Sequence, residues 1–211
     1  MRDDDRKYNF YFTHNSILMQ GVFKILEDGY IKRGKDLPEK YYVLGGNKGL
    51  EEIYGNIYFD DLMRKQKYWG NHFIINPNIV EKYDFGFRQG WQGYEIDVNV
   101  SDGNNIFWKK MDYIHDYLKN VPLKRKGPDG TIHILEPYML HEVVFRKNIS
   151  VRKYVTAIIC DRMTTDEMNR IKKIIKKKKY DIKLIMRKHD ENMTMKQRHK
   201  LHKPLKTNEL F

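Results

Sequence analysis

Cross-linking residues are almost absent. Cys160 is the only cysteine in 211 residues, so neither an internal disulfide nor a thiolate zinc cage can form and the chain must hold together by packing. Long hydrophobic runs are missing too: none approaches the roughly 18 residues of a membrane span. The N-terminus opens on Arg2-Asp3-Asp4-Asp5, without the basic flank and apolar stretch of a secretory signal. The expectation is a soluble intracellular protein that is neither secreted nor membrane-bound. Acidic residues are scarce in one region only. Residues 151–211 hold 18 Lys/Arg against 7 Asp/Glu, whereas the first 150 residues hold 22 against 21, so nearly all of the net charge of +12 sits in the last third. What is present in quantity is core material. With 40% hydrophobic and 13% aromatic residues, a mostly disordered chain is excluded, and 25.6 kDa suits one domain with a short tail.

Local patterns give the elements. Residues 8–13, aromatic and β-favouring, predict a first strand. Asn15 and Ser16 are good N-cap residues, and Ile17, Leu18, Val22, Phe23, Ile25 and Leu26 follow at helical spacing, with Gly29 to close the helix. Further strands are expected at 53–59, 71–75, 94–100, 139–145 and 154–160, and a loop at 121–130, where Pro122, Gly127-Pro128 and Asp129-Gly130 cluster. Thr164-Thr165-Asp166-Glu167 opens a helix with Met168, Ile171, Ile174 and Ile175 on one side and lysines on the other. Residues 181–187 form a last strand, with Ile182, Leu184 and Met186 on one face and Ile185 on the other. The expected layout is a single domain over residues 1–188 and a basic, loosely ordered tail over 189–211.

Several motif readings fail. The loop at 44–49 lacks the terminal Gly-Lys-Ser/Thr of a phosphate loop. His141-Glu142-Val143-Val144 ends in Phe145 where a zinc protease needs a second histidine, and His199-x-x-His202 lacks further ligands, so no metal site is expected. The run Phe85-Gly86-Phe87-Arg88-Gln89-Gly90-Trp91 reads as a packed loop by default.

Three pieces stand out together: Phe12-Thr13-His14-Asn15 at the end of the first strand, Gly55-Asn56-Ile57-Tyr58-Phe59 in a middle strand, and His141-Glu142-Val143-Val144-Phe145 on a late strand. In this order the chain resembles the ADP-ribosyltransferase superfamily, in particular its poly(ADP-ribose)-polymerase type with a His-Tyr-Glu set and its DNA-modifying toxin type. The resemblance spans about residues 8–187. It implies an α+β fold, a split antiparallel sheet with flanking helices, and NAD as co-substrate without a metal. It further implies that Glu142 stabilises the positive charge of the ribose as nicotinamide leaves, that Tyr58 stacks the nicotinamide ring, and that His14 bonds the adenosine ribose. Asn15 and Asn56 stand where the family usually has Gly, and Asn15 would lie against the nicotinamide amide. Leu140, two residues before Glu142, differs from the acidic or amide residue of arginine-directed members. The segment 54–61, together with His14-Asn15 and the abundance of Lys, Ile, Asn and Tyr, also resembles proteins of giant DNA viruses, for which the host cytoplasm or the virion would be the setting.

The expected function is therefore NAD-dependent ADP-ribosyl transfer to a protein or nucleic-acid acceptor. The alternative is a catalytically silent module on the same scaffold that binds nucleic acid or an acidic partner through Lys172, Lys173, Lys176, Lys177, Lys178 and Lys179. The sequence carries no signal for an oligomeric state.

Overall fold

The computed structural model describes residues 8–16, 18–37, 52–65, 70–83, 85–88, 106–108, 111–120, 124–126, 132–134, 142–161, 163–187, 197 and 204–211. Eight strands form one sheet: β1 (Phe10–Ser16), β3 (Ile53–Phe59), β4 (Asn71–Ile75), β5 (Phe85–Arg88), β6 (Ile106–Trp108), β9 (Glu142–Phe145), β11 (Val155–Asp161) and β12 (Lys183–Arg187). Their order across the sheet is β12-β11-β4-β1-β3-β9-β5-β6, and every neighbouring pair is antiparallel except β11 with β12. That parallel pair is bridged by α4 (Thr165–Lys178), a crossover of the βαβ kind. Four more α-helices are present among the described residues: α1 (Met19–Asp28), α2 (Met111–Asn120), the single turn α3 (Val151–Tyr154) and the C-terminal turn α5 (Thr207–Leu210). Two small ribbons lie beside the main sheet. One pairs β2 (Tyr30–Ile31) with β10 (Ile149–Ser150), the other β7 (Lys124–Lys126) with β8 (Ile132–Ile134). The fold class is thus the expected one, α+β with a mostly antiparallel sheet and flanking helices.

Strand alternation sorts the side chains into two clusters. Phe10, Phe12, Ile57, Phe73, Val143, Phe145, Ile158 and Cys160 pack with Val22, Phe23 and Leu26 of α1, Ile171 of α4 and Ile114 of α2. The opposite face carries Tyr11, Tyr58, Ile74, Ala157 and Ile159, covered by Leu205, Leu210 and Phe211. In β12, Leu184 and Met186 join the first cluster and Ile185 the second, as the alternation predicts.

The ends of α4 follow from its sequence. Thr164 and Glu167 form a complete capping box, and Lys179 closes the helix in a left-handed conformation. Gly29 ends α1 at φ 78° and donates its backbone N–H to the Ile25 carbonyl.

Four expectations are corrected. Phe85–Arg88, expected within a packed loop, is strand β5, paired on one side with β9 and on the other with β6. Asn15 and Ser16 do not cap α1: they extend β1, opposite His72 and Asn71 of β4, and Leu18 occupies the N-cap without a side-chain cap. Asn71 explains the preference for strand, since its side-chain amide donates to the Ser16 carbonyl at 3.0 Å and accepts from the Asp161 backbone N–H at 2.9 Å, tying β1 and β11 to β4. The stretch 121–130 is not all loop, because Lys124–Lys126 pairs with Ile132–Ile134 in an antiparallel ribbon. Residues 204–211, inside the expected loose tail, are packed: Leu210 is buried, the Tyr11 hydroxyl donates to the Leu205 carbonyl at 2.9 Å, and the Thr207 backbone N–H donates to Asp60 Oδ1 at 2.9 Å. The expected strand at 94–100, the loop at 44–49 and residues 189–196 lie outside the described residues.

Candidate functional site

The β1–β3 ladder runs Phe10↔Phe59, Tyr11↔Tyr58, Phe12↔Ile57 and Thr13↔Asn56, whereas β1 continues to pair with β4 as far as Ser16↔Asn71. His14 is therefore the first residue of β1 beyond its last rung with β3. Its Nδ1 lies 2.8 Å from the Tyr54 carbonyl oxygen. Burial pushes the His14 pKa below its ordinary value, more than the bond to Tyr54 raises it, so the ring is neutral near pH 7. A carbonyl only accepts, so Nδ1 carries the proton and Nε2 presents a lone pair. A half-buried neutral histidine held in this way accepts a hydrogen bond from a hydroxyl, as a ribose supplies.

The residue next to Tyr54 contributes by lacking a side chain. A Cβ on Gly55 would collide with the Thr13 carbonyl oxygen and meet Val143 Cγ2 at 3.7 Å. Gly55 thus lets β1 and β3 approach closely just where the His14 ring reaches across. On the far side of β3, Gly55 pairs with Val143 and Asn56 with Glu142, and Glu142 pairs in turn with Arg88 of β5. The ladders put Thr13, Asn56, Glu142 and Arg88 in one row, with His14 one residue from its end.

The expected site residues separate into groups. His14 and Asn15 lie on β1 and the Glu142 register position on β9, two strands separated by β3; by alternation His14 takes one face of the sheet, and Asn15 and the Glu142 position the other. Asn15 is half-buried and pairs with His72, a wholly buried residue whose Nδ1 lies 3.2 Å from Thr13 Oγ1. Tyr58 has no exposed surface. Its ring is stacked on Tyr11 at 5.3 Å and 12° and edge-on to His72 at 6.5 Å. It lies in the cluster on the opposite sheet face from Phe12, the face that His14 shares by alternation. Tyr58 therefore offers no free ring face to a nicotinamide, a correction to the role implied for it. Among the lysines of α4, Lys172, Lys173, Lys176, Lys177 and Lys179 are exposed and Lys178 is half-buried, while Ile171, Ile174 and Ile175 turn inward. Missing from the sequence-level site were Tyr54, whose carbonyl fixes His14, and His72. The first opens the segment 54–61; His72, a lone histidine in an apolar strand, carries no local signal of its role.

Residues 7–121 match a family of unknown function, DUF5846. The chain belongs to that family. Two proteins of Acanthamoeba polyphaga mimivirus are similar to this DUF5846 chain. Uncharacterized protein R11 is 31% identical over 160 residues, covering 73% of this chain and 57% of its own length. Uncharacterized protein L54 is 25% identical over 164 residues, covering 75% of this chain and 82% of its own. The chain thus spans a little over half of the first relative, and both come from a giant virus, in line with the resemblance read from segment 54–61. Among solved structures, Thermus sp. 2.9 DarT in complex with NAD+ is similar at a TM-score of 0.48 and 12% identity over 86% of this chain and 96% of that one. DarT in complex with carba-NAD+ gives the same TM-score at 11% identity. No helix among the described residues is long and apolar enough to cross a membrane.

Proposed function

We propose that this DUF5846 protein binds NAD where β1 parts from β3 and transfers its ADP-ribosyl group to an acceptor. One observation carries the reading: the neutral His14 ring, fixed through Nδ1 to the Tyr54 carbonyl at 2.8 Å, stands just beyond the last β1–β3 rung, where the two strands part, and the row that holds the Glu142 position, one residue back and on the other sheet face by alternation, ends at the same gap, so a dinucleotide seated in the gap passes between the two. In this reading His14 Nε2 accepts a hydrogen bond from a ribose hydroxyl and sets the orientation of the dinucleotide. The bond between the nicotinamide-ribose C1′ and the pyridinium nitrogen breaks, nicotinamide leaves with the electron pair, and a nucleophilic oxygen or nitrogen of the acceptor takes its place at C1′. Glu142 supplies the carboxylate that offsets positive charge on the ribose and receives the acceptor's proton. With Tyr58 enclosed, the nicotinamide ring lacks the stacking partner implied for it. Asn15 is the candidate for holding its amide.

The test is calorimetry of NAD with the parent chain, His14→Ala and Glu142→Gln. Saturable binding that weakens by roughly two- to twelvefold in His14→Ala is expected for one lost hydrogen bond, with nicotinamide release abolished in Glu142→Gln. Absence of heat at millimolar NAD refutes the cofactor assignment. Unchanged turnover in Glu142→Gln removes the proposed catalytic residue.

A further inference from the structure

The basic end of α4 does not stand alone. Arg152 Nη2 donates to the Lys178 carbonyl at 2.6 Å, which joins α3 to the C-terminus of α4. Just before α3, Ser150 of β10 pairs with Tyr30 of β2, and the Val151 backbone N–H donates to the Gly29 carbonyl at 2.9 Å. Arg152, Lys153, Lys176, Lys177 and Lys179 are all exposed, Arg152 lies 5.7 Å from the centroid of the Tyr180 ring that follows Lys179, and Tyr30, 47% exposed, pairs with Ser150 two residues before Arg152. Among the described residues, only Tyr30 and Leu18 are large hydrophobic side chains with that much exposure.

The lysines lack internal compensation. Among the described residues, no carboxylate lies within 4.0 Å of Lys176, Lys177 or Lys179, whereas Lys24 and Lys32 share Asp28, and Arg170 reaches Glu27 at 2.9 Å. The helix dipole supplies only about half a negative charge at the C-terminus of α4. Five cations at one corner exceed that several-fold.

We infer that this corner binds single-stranded nucleic acid, with Arg152, Lys153, Lys176, Lys177 and Lys179 on phosphates and Tyr30 stacked on an unpaired base. Cations tracking a backbone beside an exposed aromatic ring are the two elements such binding needs. A duplex, whose bases are already stacked, has no use for Tyr30. A membrane surface is disfavoured because Tyr30 is the one exposed large hydrophobic side chain that the described residues of this corner offer, too little apolar surface to insert. The surface requires neither NAD nor His14, so it stands or falls independently of the proposed transferase activity.

Fluorescence anisotropy of a labelled oligothymidylate, titrated with the full chain without NAD over a salt series, tests the inference. The expected result is linear loss of log affinity with log salt, a slope smaller by about 1.4 in Lys176→Gln/Lys177→Gln, and a drop of roughly five- to 150-fold in Tyr30→Ala at unchanged slope. Tyr30→Trp should restore affinity, and as Tyr30 is a surface residue its variants should melt with the parent. No binding at low salt overturns the inference. So does equal affinity for polyglutamate or phosphatidylserine vesicles with no effect of Tyr30→Ala, which would assign the corner to an acidic polypeptide or a lipid surface.

Discussion

Two glycines, changed to the same residue, should move stability in different ways. At Gly55 an added Cβ falls on the Thr13 carbonyl oxygen, a backbone atom of a fully buried residue held between β3 and β4. That oxygen cannot yield unless β1 shifts as a whole. Overpacking of this kind costs roughly 1–3 kcal/mol, and a distorted rung adds about 1 kcal/mol. The lower backbone entropy of unfolded Ala returns about 0.4–1 kcal/mol. The balance for Gly55→Ala is a loss of about 1–3.6 kcal/mol, a fall in Tm of roughly 2–14 °C for a chain of this length. At Gly21 the added Cβ meets Ser16 Oγ, the mobile end of a short side chain. Rotating it away gives up the Ser16 hydroxyl bond to the Leu18 carbonyl, about 1 kcal/mol, while Ala in place of Gly within α1 returns a similar amount. Gly21→Ala should therefore melt within a few degrees of the parent. Parallel thermal and urea melts decide the matter. A Gly55→Ala Tm equal to that of the parent, or a Gly21→Ala loss as large as that of Gly55→Ala, refutes the claim that close β1–β3 contact at the His14 end requires glycine.

Other consequences are as direct. Cys160 is fully buried with its thiol pushed up to about 12, mainly by burial, so a thiol reagent should label it only at the rate of unfolding; rapid labelling of native protein refutes its placement. Because the folded pKa of His14 lies below the ordinary 6.5, the unfolded chain takes the proton first, so this contribution to stability is present above 6.5 and lost as pH falls toward the folded value. Urea midpoints at about pH 7.5 and pH 5.5 should differ less in His14→Gln than in the parent. Thr164→Ala removes the side-chain half of the α4 capping box and should cost about 1 kcal/mol, read as a lower urea midpoint at unchanged m. Leu210→Ala opens the C-terminal cover over Tyr11 and Tyr58, and a loss of about 2–3 kcal/mol is expected at this edge of the core; an unchanged midpoint would make residues 204–211 energetically dispensable.

Where the sequence alone was sufficient, a local signal decided the structure. The capping box at Thr164, the left-handed Gly29 and the alternation in residues 182–186 each act within a few residues, and each appears as expected. Where a partner strand decided, it was not sufficient. Asn15 and Ser16 have the chemistry of helix caps, yet two rungs with β4 and the Asn71 side chain hold them in β1. The C-terminal segment looked polar and basic because polar and charged residues dominate its composition, but Pro204, Leu205, Leu210 and Phe211 suffice to seat it, given a Tyr11 hydroxyl and an Asp60 carboxylate as anchors.

The same logic explains why His14 and Tyr58 do not share a site. In an antiparallel pair, residues opposite one another point to the same face, and each step along either strand changes it. The register Tyr11↔Tyr58 joins Tyr58 to the odd-numbered residues of β1, and His14 is even-numbered. A register displaced by one residue would have put the two rings on one face with the motif unaltered. Motif order alone therefore cannot decide whether such residues converge, and the ring beside His14 need not come from β3. What β3 does contribute is backbone: the Tyr54 carbonyl that orients the imidazole and the bare Gly55 that lets it reach across. If NAD is held at this end of the sheet, its orientation depends on those main-chain features, so Gly55→Ala should weaken nucleotide binding as well as stability, whereas Leu210→Ala, packed on the Tyr11 and Tyr58 cluster rather than at the β1–β3 gap, should affect stability alone.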